Sequence, residues 1–247
     1  IDPNTDLPFT IEAVKLARMA LAGRVPLIGF SGAPFTLACY MIEGSGSKDF
    51  SRALAFMREE PAAWHALMER LTESVGHYLS AQVEAGAQAL QLFDSWVGIL
   101  SEEEYRANVL PYSAECIRAA RDAGVPVIHF GTRSGPLLEA MRDAGGDVIG
   151  IDTETNLMEA WRKLGDGTAV QGNLDPALLS AGPLHAIRAA AGAILNAVAG
   201  RPGHIFNLGH GVLKTTPPEH VRELVECVHA HSARGPGFAA IGKGDAQ

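Results

Sequence analysis

The stretch AGAQALQLFDS (residues 85–95) changes character twice. Ala85-Gly86 closes a helical pattern, because glycine takes the left-handed conformation that ends a helix without a steric penalty. A short, nearly continuous apolar run follows, which suits a strand of a parallel sheet with both faces covered. Asp94 and Ser95 then end the run with polar groups, where a strand hands over to a loop. The same sequence of signals recurs. Ala-Gly also stands at 22–23, 123–124, 144–145 and 199–200, each time just before a strand candidate. The strand candidates are 25–31 (VPLIGFS), 89–95 (ALQLFDS), 126–132 (PVIHFGT), 148–153 (VIGIDT), 169–175 (AVQGNLD) and 204–210 (HIFNLGH). The repeat is one of βα units rather than of sequence.

The intervening segments read as helices. Ser101 followed by Glu104 forms a capping box, and the helix it starts runs toward Ala123 with a kink or break at Pro111. Pro61 suits the first turn of a long helix through Ala85, and Pro217-Pro218 opens a last helix ending near His231. Residues 1–232 are expected to form a single barrel domain. Residues 233–247 are expected to form a flexible tail, Gly-rich and frayed from Gly235 on.

An open doubly wound sheet and a (β/α)8 barrel both fit this rhythm. No Gly-x-Gly-x-x-Gly follows the first strand, so the dinucleotide-binding version lacks its main signal. Polar residues gather at many strand ends instead: Ser31, Asp94-Ser95, Thr132-Arg133, Asp152, Asn173 with Asp175, and Asn207 with His210. A site built from several strand ends around one axis is the barrel arrangement, here of α/β TIM-barrel type with six strands instead of eight.

Composition narrows the function. The 247 residues are 47% hydrophobic and carry 20 Lys+Arg against 28 Asp+Glu, a formal net charge of -8. That excludes a disordered chain. The acidic balance, with no basic block, argues against nucleic acid or a membrane surface as partner. No apolar run reaches the roughly 18 residues of a membrane span, and no signal peptide is evident. Cys39, Cys116 and Cys227 are far apart, without a Cys-x-x-Cys pair. They read as buried or idle thiols in a reducing compartment.

Five motifs, in order, resemble the uroporphyrinogen decarboxylase family. They are LIGFSGAPFTLACYMIEGSGS (27–47), LQLFDSW (90–96), GIDTETNLMEAW (150–161), VQGNLDP (170–176) and NLGHGVLKTTPPEHV (207–221). The resemblance runs from about Leu7 to His231. It implies a (β/α)8 barrel and a cytosolic homodimer in haem biosynthesis that uses no cofactor and no metal. The implied reaction is removal of CO2 from the four acetate side chains of uroporphyrinogen III, giving coproporphyrinogen III. The family's N-terminal part has no counterpart here. It holds two barrel strands, an Arg-rich loop that meets substrate carboxylates, and an Asp that binds pyrrole N–H groups. The six strands would correspond to the family's third to eighth. The expectation is a fragment, an incomplete gene product or a chain that needs a missing piece, with two unpaired sheet edges and little activity by itself.

The resemblance assigns roles residue by residue. Tyr40 and His210 match residues that touch the substrate and are taken as the catalytic pair. Tyr40, Phe93, Ser95 and His210 together are taken as substrate-binding. Each has a plainer alternative: a buried tyrosine with a satisfied hydroxyl, a packed core phenylalanine, a turn serine, a structural loop histidine. Period-two alternation puts Phe93 and Ser95 on the side of the barrel axis and Asp94 on the other. Gly209 and Gly211 flank His210 and would let backbone approach a ligand. Gly32 to Pro34 and Gly44 to Gly46 read as loop formers. Arg133 and Lys214 can add positive field, or be solvated surface charges. Asp152 and Asp175 read as loop anchors or helix caps.

Two rivals share the architecture. Zinc-dependent methyltransferases acting on corrinoid proteins or thiols would place His-x-Cys near 126–132, but that strand reads His129-Phe130-Gly131. The other rival is a non-catalytic barrel that holds tetrapyrroles and turns none over.

Overall fold

A computed structural model describes residues 1–47 and 49–232, so the expected tail at 233–247 lies outside the described residues. Six parallel strands form one sheet: β1 (Ile28–Gly32), β2 (Ala89–Phe93), β3 (Val127–Phe130), β4 (Val148–Gly150), β5 (Ala169–Gln171) and β6 (His204–Ile205). Their order in space is their order in the chain. A doubly wound sheet reverses direction part-way and so covers both faces with helices. No reversal occurs here, and right-handed crossovers then put the connecting helices on one side.

The pairing fixes which side chains meet those helices. Leu90 and Leu92 pack with Val75 and Leu79 of the Pro61–Glu84 helix and with Cys116 and Ile117 of the Leu110–Asp122 helix. Ile149 and Val170 pack with Trp161 and Leu164 of the Leu157–Leu164 helix. Burying a side chain of this size contributes about 2 kcal/mol. Alternate residues face the other way: Gln91 and Phe93 on β2, Ile128 and Phe130 on β3, Gln171 on β5.

Curvature closes this second face. Gln171 Nε2 on β5 donates to Gln91 Oε1 on β2 at 3.4 Å. In a flat sheet, with strands about 4.8 Å apart, β5 and β2 would lie about 14 Å from each other. The contact requires a sheet curled into a trough, a TIM-barrel-like fold. Among the described residues β1 and β6 have one neighbour each. The expectation that both faces of every strand are covered holds only in the middle of the sheet. Ile128 and Gln91 are buried, whereas Phe30 on β1 is 60% exposed and Ile205 on β6 is 43% exposed.

The strands are shorter than the apolar runs that announced them. β1 starts at Ile28 rather than 25, because Pro26 has no N–H to give the ladder and Leu27 N–H goes to Gln88 Oε1. β1 runs through its polar residue Ser31 to Gly32, whereas the other five ladders stop before their polar tips, leaving Asp94-Ser95, Thr132, Asp152, Asn173 and Asn207 in loops. The helix signals are borne out. Ser101 and Glu104 make both bonds of the capping box, and the helix breaks at Val109 into Glu102–Asn108 and Leu110–Asp122. Pro61–Glu84 and Pro218–Ser232 are helical. Gly86, Gly124 and Gly145 have positive φ, as an Ala-Gly stop requires. At 22–23 and 199–200 the alanine itself, Ala22 or Ala199, is already left-handed.

A double-mutant cycle tests the curl. Gln91→Ala and Gln171→Ala should couple by about 0.5–1 kcal/mol in urea unfolding, although three strand intervals separate them. Strict additivity would mean that the two side chains do not meet.

Candidate active site

Parallel strands present their carboxyl ends on one rim, and the candidate residues lie there. The tip of β2 is the most constrained part of it. Phe93 O accepts from Ala33 N and from Thr36 Oγ1, both at 2.9 Å. Asp94 N donates to Phe130 O at 2.7 Å, and Asp94 O accepts from Val97 N at 3.3 Å. Ser95 N donates to Thr36 Oγ1 at 2.9 Å, and Ser95 O accepts from the Thr132 hydroxyl. Every backbone polar group from Phe93 O to Ser95 O is thus hydrogen-bonded.

The side chains of Phe93 and Asp94 split as the alternation predicts. Asp94 is fully buried on the helix side, where its Oδ2 accepts from Ser113 Oγ at 2.7 Å and lies 3.1 Å from His129 Nε2. Asp94 Oδ1, His129 Nδ1 and the Tyr105 hydroxyl have no partner among the described residues. His129, on the strand where a methyltransferase would hold zinc, is engaged with this carboxyl group. Burial first, and then the Asp94 and Glu43 charges, push the Cys39 thiol up to about 12. Burial and then the Asp94 charge also raise the Cys116 thiol and hold the Tyr105 phenol well above its ordinary value.

Phe93 lies on the trough side, edge-to-face with Phe30 at 5.8 Å and with Phe130 at 5.9 Å between ring centroids. Tyr40 is on the Pro34–Glu43 helix, one turn beyond Thr36, with its ring 6.0 Å from that of Trp96. It is 40% exposed, which removes the alternative of a fully buried tyrosine. Ser95 is half-buried. Tyr40 thus lies one helical turn from Thr36, whose hydroxyl bonds Phe93 O and Ser95 N at the tip of β2.

His210 follows β6, exposed on the same rim but at the other end of the sheet. Gly211 N donates to its Nδ1 at 2.7 Å, so the neutral ring carries its proton on Nε2. The close approach expected at Gly209 is to the chain itself. A Cβ there would lie 2.4 Å from Thr153 N, whereas one at Gly211 would meet open space. Thr153 N donates to Gly209 O, and Asn173 Nδ2 donates to Asp152 O at 2.8 Å and to Thr155 O at 2.7 Å. These bonds join the loops after β4, β5 and β6. Asp175 caps its helix by accepting from Ala177 N, and buried Asp152 accepts from Thr155 Oγ1. Both act as the anchors expected of them.

Arg133 and Lys214 are exposed near the rim. Arg133 lines a cleft of about 550 Å³ with Thr155, Asn156, Glu159 and Lys163. A second groove, of about 600 Å³, runs between the Pro61–Glu84 and Leu110–Asp122 helices. Neither is lined by Tyr40, Phe93, Ser95 or His210. Sequence reasoning passed over Thr36, Ser113 and His129 as parts of the tip. The period-two position of Asp94 signalled a polar group aimed at the helices, but nothing local marked its partners.

Thiol labelling reads the burial beneath the tip. At pH 8 a disulfide reagent should modify native Cys227, which is half-buried, and leave Cys39 and Cys116 untouched until urea unfolds the chain. Fast native labelling of Cys39 or Cys116 would contradict this packing.

The sequence profile of the uroporphyrinogen decarboxylase (URO-D) family matches residues 1–231. The chain is 52% identical over 233 residues to uroporphyrinogen decarboxylase of Carboxydothermus hydrogenoformans, covering 94% of this chain and 66% of that protein. It is 50% identical over 233 residues to the Geobacter sulfurreducens protein of the same name, covering 94% and 68%. The chain thus spans about two thirds of the length of these curated relatives. Among solved structures, a methyltransferase from Methanosarcina mazei superposes with a TM-score of 0.79 at 21% identity, over 90% of this chain and 64% of that one, a likeness of fold. With its six-stranded curled sheet and this sequence kinship, the chain belongs to the uroporphyrinogen decarboxylase family.

Proposed function

We propose that the intact gene product decarboxylates the four acetate arms of uroporphyrinogen III to methyl groups, and that Tyr40, Phe93, Ser95 and His210 handle the substrate. The observation that carries the reading is the bonded tip of β2 at Phe93 and Ser95, tied by the Thr36 hydroxyl to the helix that carries Tyr40, in a chain of this family. Each turnover exchanges a carboxylate for a proton. Protonation of a pyrrole ring carbon makes a cation, the bond to the acetate carboxylate breaks, and its electron pair flows into the ring as CO2 leaves. A second proton then reaches the exocyclic carbon, and the ring proton is returned. The substrate supplies the electron sink, so the protein's tasks are binding, orientation and proton management.

The four side chains suit these tasks. The Tyr40 phenol and the Ser95 hydroxyl donate to carboxylate arms of the macrocycle. Phe93, in a row with Phe30 and Phe130, offers an apolar wall to the tetrapyrrole face. His210, with Nδ1 occupied by the Gly211 amide, presents Nε2–H to a carboxylate or supplies a proton. Self-association as a homodimer and residence in the cytoplasm belong to the same reading. No helix among the described residues is long and apolar enough to cross a membrane.

Anaerobic incubation with uroporphyrinogen III should give coproporphyrinogen III and four equivalents of CO2, and His210→Ala should lower kcat/KM by about tenfold or more. Binding without CO2 release would make the protein a tetrapyrrole-holding barrel instead. An unchanged kcat/KM would remove His210 from the site. The 247-residue chain assayed alone should show little turnover, and sedimentation of the intact protein should show a dimer; a monomer at every concentration would contradict the assembly.

A further inference from the structure

We propose that Thr36 is a positioning residue, whose hydroxyl locks the tip of β2 against the helix that carries Tyr40, so that Tyr40, Phe93 and Ser95 face one substrate arm together. This rests on the site reading above and adds to it a residue that does not touch substrate.

A threonine hydroxyl has one proton to give and lone pairs to receive. Thr36 uses both functions on the same short segment. It donates to Phe93 O and accepts from Ser95 N, each at 2.9 Å. The two partners flank Asp94, so the hydroxyl spans the turn from strand to loop. Among the described residues it makes the only side-chain hydrogen bonds from the Pro34–Glu43 helix to residues 93–95. Thr36 is buried, with 4% of its surface exposed, so solvent is poorly placed to take over either bond. It also stands four residues before Tyr40 on one helix, which puts the two on the same face one turn apart. Asp94 is held from the opposite side by Ser113 and His129. Those bonds fix the strand end to the Leu110–Asp122 helix and to β3 and do not reach the helix of Tyr40. The hydroxyl therefore registers the phenol of Tyr40 against the Ser95 and Phe93 side chains. Displacements on the order of 1 Å at such a point can cost about a hundredfold in rate.

Thr36→Val keeps the shape and removes the hydroxyl; Thr36→Ser keeps the hydroxyl and removes the methyl group. In the intact protein, Thr36→Val should lower kcat/KM for uroporphyrinogen III by about tenfold or more, mostly through kcat, and Thr36→Ser should stay within about threefold of the parent. Amide hydrogen exchange at Ser95 should speed up by about tenfold in Thr36→Val and little in Thr36→Ser. Parental kinetics in Thr36→Val would overturn the proposal. Equal impairment in Thr36→Ser would also overturn it, because packing rather than the hydroxyl would then matter. If Thr36→Val does not fold, Thr36→Cys replaces it under the same criteria, as a side chain of similar size with a weak hydrogen-bonding group. If the parent protein releases no CO2, the decarboxylase reading fails and the Ser95 exchange comparison alone decides the role of Thr36.

Discussion

At the end of β2 every backbone polar group from Phe93 O to Ser95 O is hydrogen-bonded. An unpaired buried N–H or C=O costs about 1–3 kcal/mol, so a segment that satisfies all of them has few alternative positions. The partners of these groups come from the loop after β1, the Pro34–Glu43 helix, the loop after β2, β3 and the loop after β3. One short turn thus sets the register of two neighbouring strands and of the helix after β1. With the backbone fixed, the two-residue period of a strand decides the rest: Asp94 goes toward the outer helices and Phe93 toward the trough.

This division separates charge from the proposed binding face. Asp94 sits beneath the rim with Ser113 and His129, where it contributes to the raised thiols of Cys39 and Cys116. The trough side carries aromatic rings and neutral donors instead. For an acidic chain proposed to take a many-armed acid, that placement limits repulsion. The exposed cations Arg133 and Lys214, with His210, stand on loops beyond the strand ends.

Much of this was legible in the residues. The Ala-Gly stops and apolar runs located six strands, and the absence of a glycine-rich phosphate loop favoured a barrel-type sheet over a doubly wound one. The capping box at Ser101 and the break near Pro111 followed from local chemistry, which needs only a few neighbouring residues. Strand ends were overestimated, because an apolar run does not reveal where its ladder partner stops. The glycine before His210 was linked to a ligand, whereas its missing side chain makes room for Thr153, 56 residues earlier in the chain. The role of Thr36 was invisible for the same reason. Its partners are 57 and 59 residues away, and a threonine in the first turn of a helix looks like any other. Family resemblance pointed to Tyr40, Phe93, Ser95 and His210; the fold puts Phe93 and Ser95 at one strand tip, Tyr40 on the helix bonded to that tip, and His210 on the same rim at the far end.

The central claim is that these strand tips face one bowl that receives a polyanionic tetrapyrrole. Hydrogen–deuterium exchange of the intact protein with and without uroporphyrin tests it most directly. The account predicts slowed exchange at residues 31–40, 93–96 and 207–211 together. Slowing confined to the groove between the Pro61–Glu84 and Leu110–Asp122 helices, with the tips unchanged, would contradict it.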